Sequence, residues 1–250
     1  MKPLIIKNKT FGEGTPKICI PITGRNEAEI MEAAGRILNL PHDMAEWRSD
    51  FFEQVTEPDK VCHILSELRR VLPDSLLLFT FRTRKEGGVR VLSDEAYLEI
   101  CRNVLESRLT DLLDLELFTG EEALLPLISL AHKNGISVIL SNHDFHKTLP
   151  EEEICRRLAI MEKIGGDIAK IAVMPETKKD VLTLLSATLY ASEHLNCPVI
   201  TMSMGPLGVI SRLCGEVFGS CLTFGTAGEA SAPGQMNAAN LEKFLEALHI

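Results

Sequence analysis

Two side chains suited to covalent chemistry lie in apolar segments of this sequence. Lys170 lies inside the run 167–174, where a strand buried on both faces would normally carry no charge. His143 stands near the end of the run 137–145, roughly one strand and one helix earlier. A buried ammonium group tends to lose its proton, and the free amine attacks ketones to form a Schiff base. Histidine transfers protons near neutral pH, so the pair predicts Schiff-base catalysis with acid–base assistance.

Each of these residues also has a purely structural interpretation. The Lys170 side chain can extend to the strand end or pair with a carboxylate, and a lone His143 can be a hydrogen-bonded structural residue. Asp114 and Glu116 share a face of another apolar segment, where they either pair with arginines or Lys170 or act directly. The occurrence of an amine and an imidazole on neighbouring segments favours the catalytic interpretation.

Further charged residues cluster toward the ends of predicted strands. Glu46, Arg48 and Asp50 alternate along the sequence and are therefore predicted to share one strand face. Arg82 precedes a loop with two adjacent glycines, which would let the backbone approach a ligand closely. Arg212 offers a fork of donors that fits a carboxylate. Together with an amine and a histidine, these groups fit a small polyhydroxylated keto acid.

The last two predicted strands add apolar and hydrogen-bonding groups. Met202 and Met204 either form an apolar wall beside a substrate ring or simply fill the core. The loop 225–235 is rich in small residues and carries a hydroxyl at Ser231 and an amide at Gln235. These polar groups suit a carboxylate.

The elements that must position these residues follow from a repeated pattern. Eight apolar or β-branched segments recur at intervals of roughly thirty residues, the size of one strand–helix unit, with helical patterns between them. Strict alternation predicts a parallel sheet with covered faces, and eight repeats favour an α/β fold closed into a (β/α)₈ TIM barrel over an open doubly wound sheet. The predicted strands are 17–24, 44–52, 76–83, 112–118, 137–145, 167–174, 199–205 and 221–226.

Start and stop signals divide the helical segments. Thr119 and Thr148 each precede a glutamate at the spacing of a capping box, and Ser93 is placed to open another helix. Gly135 and Gly165 are predicted as C-terminal stops.

The first sixteen residues fall outside the repeat. Two short apolar stretches flanked by Asn8, Gly12 and Gly14 predict a β-hairpin that closes the bottom of the barrel. No linker or low-complexity tract interrupts the chain. We therefore expect a single barrel domain over residues 1–250, with 1–16 as an N-terminal hairpin extension.

Composition excludes several classes of protein. With 250 residues, 45% hydrophobic and 24% charged, the chain can bury one large core and is not disordered. A net charge of −9 disfavours nucleic acid and anionic membrane surfaces as partners, and no apolar run reaches the length of a membrane span or signal peptide. Seven scattered cysteines predict reduced thiols, a cytoplasmic location and no metal site. No nucleotide-binding glycine motif follows a strand, which disfavours a nucleotide cofactor. No organic cofactor is expected at all, because an iminium on the lysine would itself be the electrophile.

These motifs, taken together, resemble those of the type I 3-dehydroquinate dehydratases over essentially the whole sequence. The resemblance implies a carbon–oxygen lyase of the shikimate pathway. Such an enzyme removes water in the syn sense from 3-dehydroquinate, its small-molecule substrate, to give 3-dehydroshikimate. It also implies a cofactor-independent homodimer. The matching motifs are Glu46-Trp47-Arg48 with Asp50, Phe81-Arg82-Thr83 with Glu86-Gly87-Gly88, Asp114-Leu115-Glu116-Leu117, Ser141 with His143-Asp144-Phe145, Lys170-Ile171-Ala172, Met202-Ser203-Met204-Gly205 and Ser231-Ala232-Pro233-Gly234-Gln235.

The resemblance also implies a role for individual residues. Lys170 corresponds to the Schiff-base lysine, His143 to the general acid–base and Glu86 to the carboxylate that supports the histidine. Some relatives carry a serine that contacts substrate at the end of the first strand, whereas Pro21 stands there in this sequence, so the resemblance does not extend to that hydrogen bond. The implied substrate-binding residues are Glu46, Arg48 and Arg82 for the hydroxyls and Arg212, Ser231 and Gln235 for the carboxylate.

Two other functions compete with this one. A class I aldolase-type lyase would use the same lysine to break a carbon–carbon bond of a sugar phosphate, with 225–228 as its phosphate cradle. A non-catalytic barrel would bind a keto acid or regulate a partner protein. The presence of Lys170, His143 and Glu86 argues against the second alternative, and the carboxylate-binding character of Arg212 argues against the first.

Overall fold

Strands and helices alternate along the chain as the sequence pattern predicts. The structure, a computed structural model, describes residues 2–228 and 231–250. Its strands are β1 (Leu4–Ile6), β2 (Lys9–Phe11), β3 (Lys17–Ile22), β4 (Met44–Arg48), β5 (Leu76–Thr80), β6 (Leu112–Glu116), β7 (Ser137–Asp144), β8 (Ile168–Val173), β9 (Val199–Ser203), β10 (Leu222–Thr226) and β11 (Met236–Asn237). Its helices are α1 (Glu27–Ile37), α2 (Pro58–Val71), α3 (Asp94–Ser107), α4 (Glu121–Lys133), α5 (Glu151–Lys163), α6 (Lys178–His194), α7 (Gly205–Leu213), α8 (Gly215–Phe218) and α9 (Ala238–Ala247).

The strands β3 to β10 form a closed barrel. Each strand from β3 to β8 pairs in parallel with the next, and β10 pairs in parallel with β3. Between β9 and β10, the backbone N–H of Cys221 donates to the carbonyl of Val199 at 2.8 Å, and a parallel bridge joins Val199 to Ser220. These bonds complete the ring, so the (β/α)₈ TIM barrel is confirmed and the open sheet is wrong.

Strand alternation separates two apolar layers. In β7, Val138 and Leu140 point outward into the layer between strands and helices, whereas Ile139 points into the barrel. The inward apolar residues fill the half of the barrel near the N-terminal ends of the strands. Because side chains alternate with a period of two, Ser141 and His143 continue the inward face of β7 toward its C-terminal end. Polar chemistry is therefore confined to that end.

The N-terminal hairpin, formed by β1 and β2 in antiparallel pairing, closes the opposite end of the barrel. Phe11 is fully buried against the inward-facing residues of the barrel. Lys7 pairs with Asp111 at 2.7 Å, and Lys9 pairs with Asp43 at 2.8 Å. Both aspartates immediately precede barrel strands, so the hairpin lies at the N-terminal ends of those strands. The predicted bottom closure is confirmed.

Helix ends agree only in part with the sequence signals. The hydroxyl of Ser93 accepts the backbone N–H of Ala96 at 3.2 Å, which confirms the predicted start of α3. Gly135 and Gly165 follow α4 and α5 with φ angles of 72° and 103°, as expected for C-terminal stops.

The two predicted capping boxes are wrong. Gly120, with φ of 102°, precedes α4, and the side chain of Thr119 does not cap that helix. Thr148 donates its hydroxyl to a carbonyl just after β8 at 3.1 Å, which leaves Pro150 as the residue before α5. A capping box forms instead at Thr177, before α6. Thr119 does not cap α4 because a turn at Gly120 precedes that helix. Thr148 does not cap α5 because its hydroxyl binds the carbonyl that follows β8.

Seven of the eight barrel strands end earlier than predicted, and two of them lead directly into a single turn of 3₁₀ helix. β4 stops at Arg48 and β6 at Glu116, and single 3₁₀ turns at 49–51 and 117–119 follow them. Asp50 therefore leaves the strand, and its expected place on a shared strand face is wrong. The turn nevertheless returns its carboxylate to Arg48, whose Nε and Nη2 donate to it at 2.8 and 2.9 Å.

Three global features complete the description. All seven cysteines are unpaired. Across residues 2–228 and 231–250, no helix combines the length and apolar character needed to cross a membrane. The same residues contain no group of three or more His, Cys, Asp or Glu side chains arranged to hold a metal ion.

The hairpin gives a direct test of bottom closure. Phe11→Ala should lower the free energy of unfolding by about 3–5 kcal/mol, because it removes a fully buried aromatic ring from the barrel floor. Ile5→Ala is the matched control, since Ile5 lies in the same hairpin with 69% of its surface exposed, and it should change stability by less than about 0.5 kcal/mol. Urea unfolding measures both, and equal losses would contradict the assigned packing.

Candidate active site

A cavity of about 70 Å³ opens at the C-terminal ends of the barrel strands. Polar side chains from the ends of β4, β5 and β7 line one side, and apolar side chains from β8, β9 and β10 face them. The structure brings all the predicted site residues to this cavity. They are Glu46, Arg48, Arg82, Glu86, His143, Lys170, Met202, Met204, Arg212, Ser231 and Gln235.

Lys170 lies in the middle of β8 and points into the barrel. Its side chain is almost fully buried, and its Nζ donates to Oδ2 of Asp114 at 3.0 Å. Nζ also lies 4.0 Å from Oε1 of Glu46 and 4.8 Å from the centre of the Phe224 ring. The amine is therefore ion-paired with Asp114, as the structural interpretation expects, and it also lines the cavity.

His143 and Glu86 form a hydrogen-bonded pair across the cavity wall. Nδ1 of His143 lies 2.9 Å from Oε2 of Glu86, and the backbone N–H of His143 donates to the same oxygen at 3.0 Å. Glu86 ends the 3₁₀ turn 84–86, which Gly87 terminates with φ of 89°. With Nδ1 directed at a carboxylate, Nε2 is the ring nitrogen left for a ligand.

Burial shifts the ionisation of both partners. Burial raises the pKa of Glu86, and the Arg82 cation and the hydrogen bond from Asn142 oppose that rise. Burial also lowers the pKa of His143 well below its usual value, and the Arg82 and Lys170 cations act in the same direction. The imidazole is therefore neutral at pH 7 and able to accept a proton.

Arg82 links the carboxylates of the barrel centre. Its Nη2 lies 2.8 Å from Oδ1 of Asp114, and its Nη1 donates to Glu116 at 2.9 Å and to Ser141 at 3.0 Å. Burial opposes charge on Asp114, but the Arg82 and Lys170 cations hold its pKa well below the usual range. Asp114 therefore pairs with both Arg82 and Lys170, and Glu116 pairs with Arg82. The sequence had left the role of these two carboxylates open.

The polar rim is held by local contacts. The hydroxyl of Thr80 donates to Oε1 of Glu46 at 2.8 Å. The guanidinium of Arg48 binds Asp50 through two hydrogen bonds and lies 5.3 Å from the centre of the Phe51 ring. Both rim residues are buried and fixed, so they can present their remaining polar atoms to a ligand without reorganisation.

Arg212, on α7, is a buried cation without a carboxylate partner in the part of the chain that the structure describes. Its Nη2 donates to the carbonyl of Pro233 at 3.0 Å, its Nη1 contacts the sulfur of Met202 at 3.7 Å, and its Nε has no partner. Burial lowers its pKa to about 10, so the group stays charged at neutral pH. Ser231 and Gln235, which bond each other at 3.1 Å, line the same end of the cavity. This end is suited to an anion.

Some cavity residues are absent from the predicted site. Phe224 faces Lys170, and its inward orientation follows from strand alternation in β10. The ring of Phe145 lies parallel to that of His143, with the ring centres 6.5 Å apart. A Cβ at Gly87 would collide with the Phe145 ring, so glycine is needed for this close approach. No sequence signal separates these contacts from ordinary core packing.

A second, larger cavity of about 670 Å³ lies on the other side of Glu86, His143 and Phe145. It does not include Lys170 or Arg212 in its lining. The smaller cavity is therefore the one that combines an amine, an imidazole and an anion site.

Comparisons with known proteins identify the family of this chain. Residues 18–250 match the family model described as type I 3-dehydroquinase. The chain is 51% identical over 249 residues to the 3-dehydroquinate dehydratase of Listeria monocytogenes, covering 100% of this chain and 99% of the relative. It is 49% identical over 251 residues to the enzyme of that name from Bacillus licheniformis, with the same two coverages.

A solved structure shows the same likeness in three dimensions. The type I 3-dehydroquinate dehydratase of Clostridium difficile, solved with covalently modified comenic acid, superposes with a TM-score of 0.96 at 47% identity. The superposition covers 99% of this chain and 98% of that one. Because a family model and close relatives match essentially the whole length, the chain belongs to the type I 3-dehydroquinase family.

Proposed function

We propose that the protein dehydrates 3-dehydroquinate to 3-dehydroshikimate through an imine on Lys170. The observation that carries this proposal is the convergence on one cavity of the Lys170 amine, the neutral His143 imidazole and the buried Arg212 cation, which has no carboxylate partner among the described residues. The covalently modified ligand of the Clostridium difficile relative supports a covalent mechanism. The family relationship favours this reaction over the aldolase and the non-catalytic barrel.

The substrate is a ring that carries a carboxylate, a ketone and hydroxyl groups, and each end has a matching partner. Its carboxylate pairs with the guanidinium of Arg212, for which residues 2–228 and 231–250 supply no carboxylate, and with Ser231 and Gln235. The ring then lies against the apolar side formed by Met202 and Met204, with its ketone toward Lys170. The residues assigned to its hydroxyls are Glu46, Arg48 and Arg82.

Covalent activation begins when the Lys170 ammonium releases one proton and the resulting amine attacks the ketone carbon to form a carbinolamine. An equivalent proton is taken up by the carbinolamine hydroxyl, which departs as water. Loss of water gives an iminium ion, which withdraws electrons and acidifies the adjacent carbon. The iminium carries the same unit charge as the ammonium it replaces. The ion pair with Asp114, at 3.0 Å in the free protein, therefore keeps its charge balance in the intermediate.

Proton transfer is assigned to His143. Its neutral Nε2 removes the acidified α-proton to give an enamine, while Glu86 stabilises the imidazolium through Nδ1. The imidazolium returns this proton to the departing β-hydroxyl on the same face, which makes the elimination syn. Water then hydrolyses the conjugated iminium and frees Lys170. Two molecules of water leave during imine formation and elimination, and one is consumed in hydrolysis.

We also propose that the protein acts as a homodimer in the cytoplasm. The family resemblance and the unpaired cysteines support this assignment. The adjoining helices α6 and α7 carry exposed apolar side chains that a second subunit could cover, including Leu182, Leu189, Leu207 and Ile210.

Histidine substitution tests the proposed reaction. His143→Ala should lower the turnover of 3-dehydroquinate by about 10²–10⁴-fold, the usual contribution of a general acid–base. His146→Ala is the matched control, because His146 is exposed three residues further on and lies outside the lysine cavity. Product formation is followed by the ultraviolet absorbance of the conjugated enone. A wild-type protein that leaves 3-dehydroquinate unchanged would contradict the proposed function, and full turnover by His143→Ala would contradict the residue's role.

Arginine substitution tests the orientation of the substrate. Arg212→Lys should raise KM for 3-dehydroquinate by roughly tenfold or more, because an ammonium cannot reproduce the forked contact with a carboxylate. Arg102→Lys, on the exposed face of α3, should leave KM unchanged. Steady-state kinetics measure both KM values. Equal KM values for the two variants would contradict the assignment of the substrate carboxylate to Arg212.

A further inference from the structure

Asn142 is a polar residue in an otherwise apolar layer. It lies on the outward face of β7, where the preceding outward residues, Val138 and Leu140, pack against helices. Only 3% of its surface is exposed. A buried amide must satisfy both its carbonyl oxygen and its NH₂ group, so its partners define its function.

Those partners connect α5 to the catalytic pair. Nη1 of Arg157 donates to Oδ1 of Asn142 at 2.7 Å, and Nδ2 of Asn142 donates to Oε1 of Glu86 at 3.1 Å. A guanidinium has only donors, so Arg157 fixes the amide with its oxygen toward α5 and its NH₂ group toward Glu86. Oε2 of Glu86 then receives His143.

Arg157 is itself held in place. Its Nε donates to Oε1 of Glu153 at 2.7 Å, one turn earlier on α5. Its guanidinium also lies 4.8 Å from the centre of the Phe118 ring, in a cation–π contact. With 16% of its side chain exposed, it is the more enclosed of two neighbouring arginines, since Arg156 has 61% exposed.

We propose that Arg157 and Asn142 are positioning residues for the proton-transfer pair. They keep the NH₂ group of Asn142 directed at Oε1 of Glu86, so that Oε2 holds Nδ1 of His143 and Nε2 is left to act as the base. The inference rests on the proposed function, because proton transfer by His143 is the step that this chain of hydrogen bonds serves.

Loss of Arg157 has a defined physical consequence. The amide of Asn142 becomes free to turn, and it then presents an acceptor to Glu86 in place of a donor. Burial already raises the pKa of Glu86, and the Asn142 hydrogen bond opposes that rise, so turning the amide raises it further. The other ionisable groups around the pair are Arg82, Asp114 and Glu116 near Glu86, and Arg48 and Lys170 near His143.

A comparison of two adjacent arginines tests the inference. Arg157→Met should lower kcat by roughly tenfold, the effect of losing a hydrogen bond to a charged group, with a smaller change in KM. The acid limb of the pH profile of kcat/KM should move to higher pH, and Arg157→Lys should restore part of both losses. Arg156→Met is the matched control, because Arg156 also binds Glu153 but does not contact Asn142.

Each outcome decides the matter. The inference is overturned if Arg157→Met matches Arg156→Met in both kcat and the acid limb. Should Arg157→Met fail to fold, Asn142→Leu removes the same donor from Glu86, and an unshifted acid limb in that variant overturns the inference equally. If wild-type protein and Arg156→Met do not dehydrate 3-dehydroquinate, the proposed function fails and the inference fails with it. If both are active, equal behaviour of Arg157→Met removes the inference alone.

Discussion

A buried cluster of charges at the centre of the barrel is the interaction on which the rest of the structure depends. Removing an ammonium from water costs several kcal/mol, and the cost is met here by Asp114, which pairs with Lys170 at 3.0 Å and with Arg82 at 2.8 Å. The apolar half of the barrel and the hairpin below it keep this cluster away from solvent on one side. A ligand at the open end then meets an amine already oriented by its ion pair.

The two ends of the cavity differ in charge balance. Around Lys170, carboxylates and cations from several strands form ion pairs. In the proposed reaction an iminium replaces the Lys170 ammonium with the same unit charge, so the net charge of the site does not change. At the other end, Arg212 has backbone and sulfur contacts but no carboxylate among the described residues. In the proposed function, the substrate's own carboxylate supplies the missing charge, so that this end recognises the ligand and the other end transforms it.

Most of the architecture and the site could be predicted because they follow from strand periodicity. A lysine inside an apolar strand and a histidine near the end of the preceding strand specify inward positions at one end of a barrel. Competition between hydrogen-bond acceptors could not be predicted. The hydroxyl of Thr148, for example, donates to a carbonyl just after β8 and does not cap α5. The role of Arg157 could not be predicted either, because the sequence does not distinguish Arg157 from its exposed neighbour Arg156. The folded structure distinguishes them, because Arg157 donates a hydrogen bond to Asn142.

Borohydride reduction in the presence of 3-dehydroquinate, followed by intact mass and peptide mapping, tests the central role of Lys170 most directly. We expect one stable adduct per chain, on the peptide that contains Lys170, because reduction converts the iminium into a permanent secondary amine. An adduct confined to a different lysine would contradict this account. So would the absence of any adduct from folded protein that binds 3-dehydroquinate and turns it over.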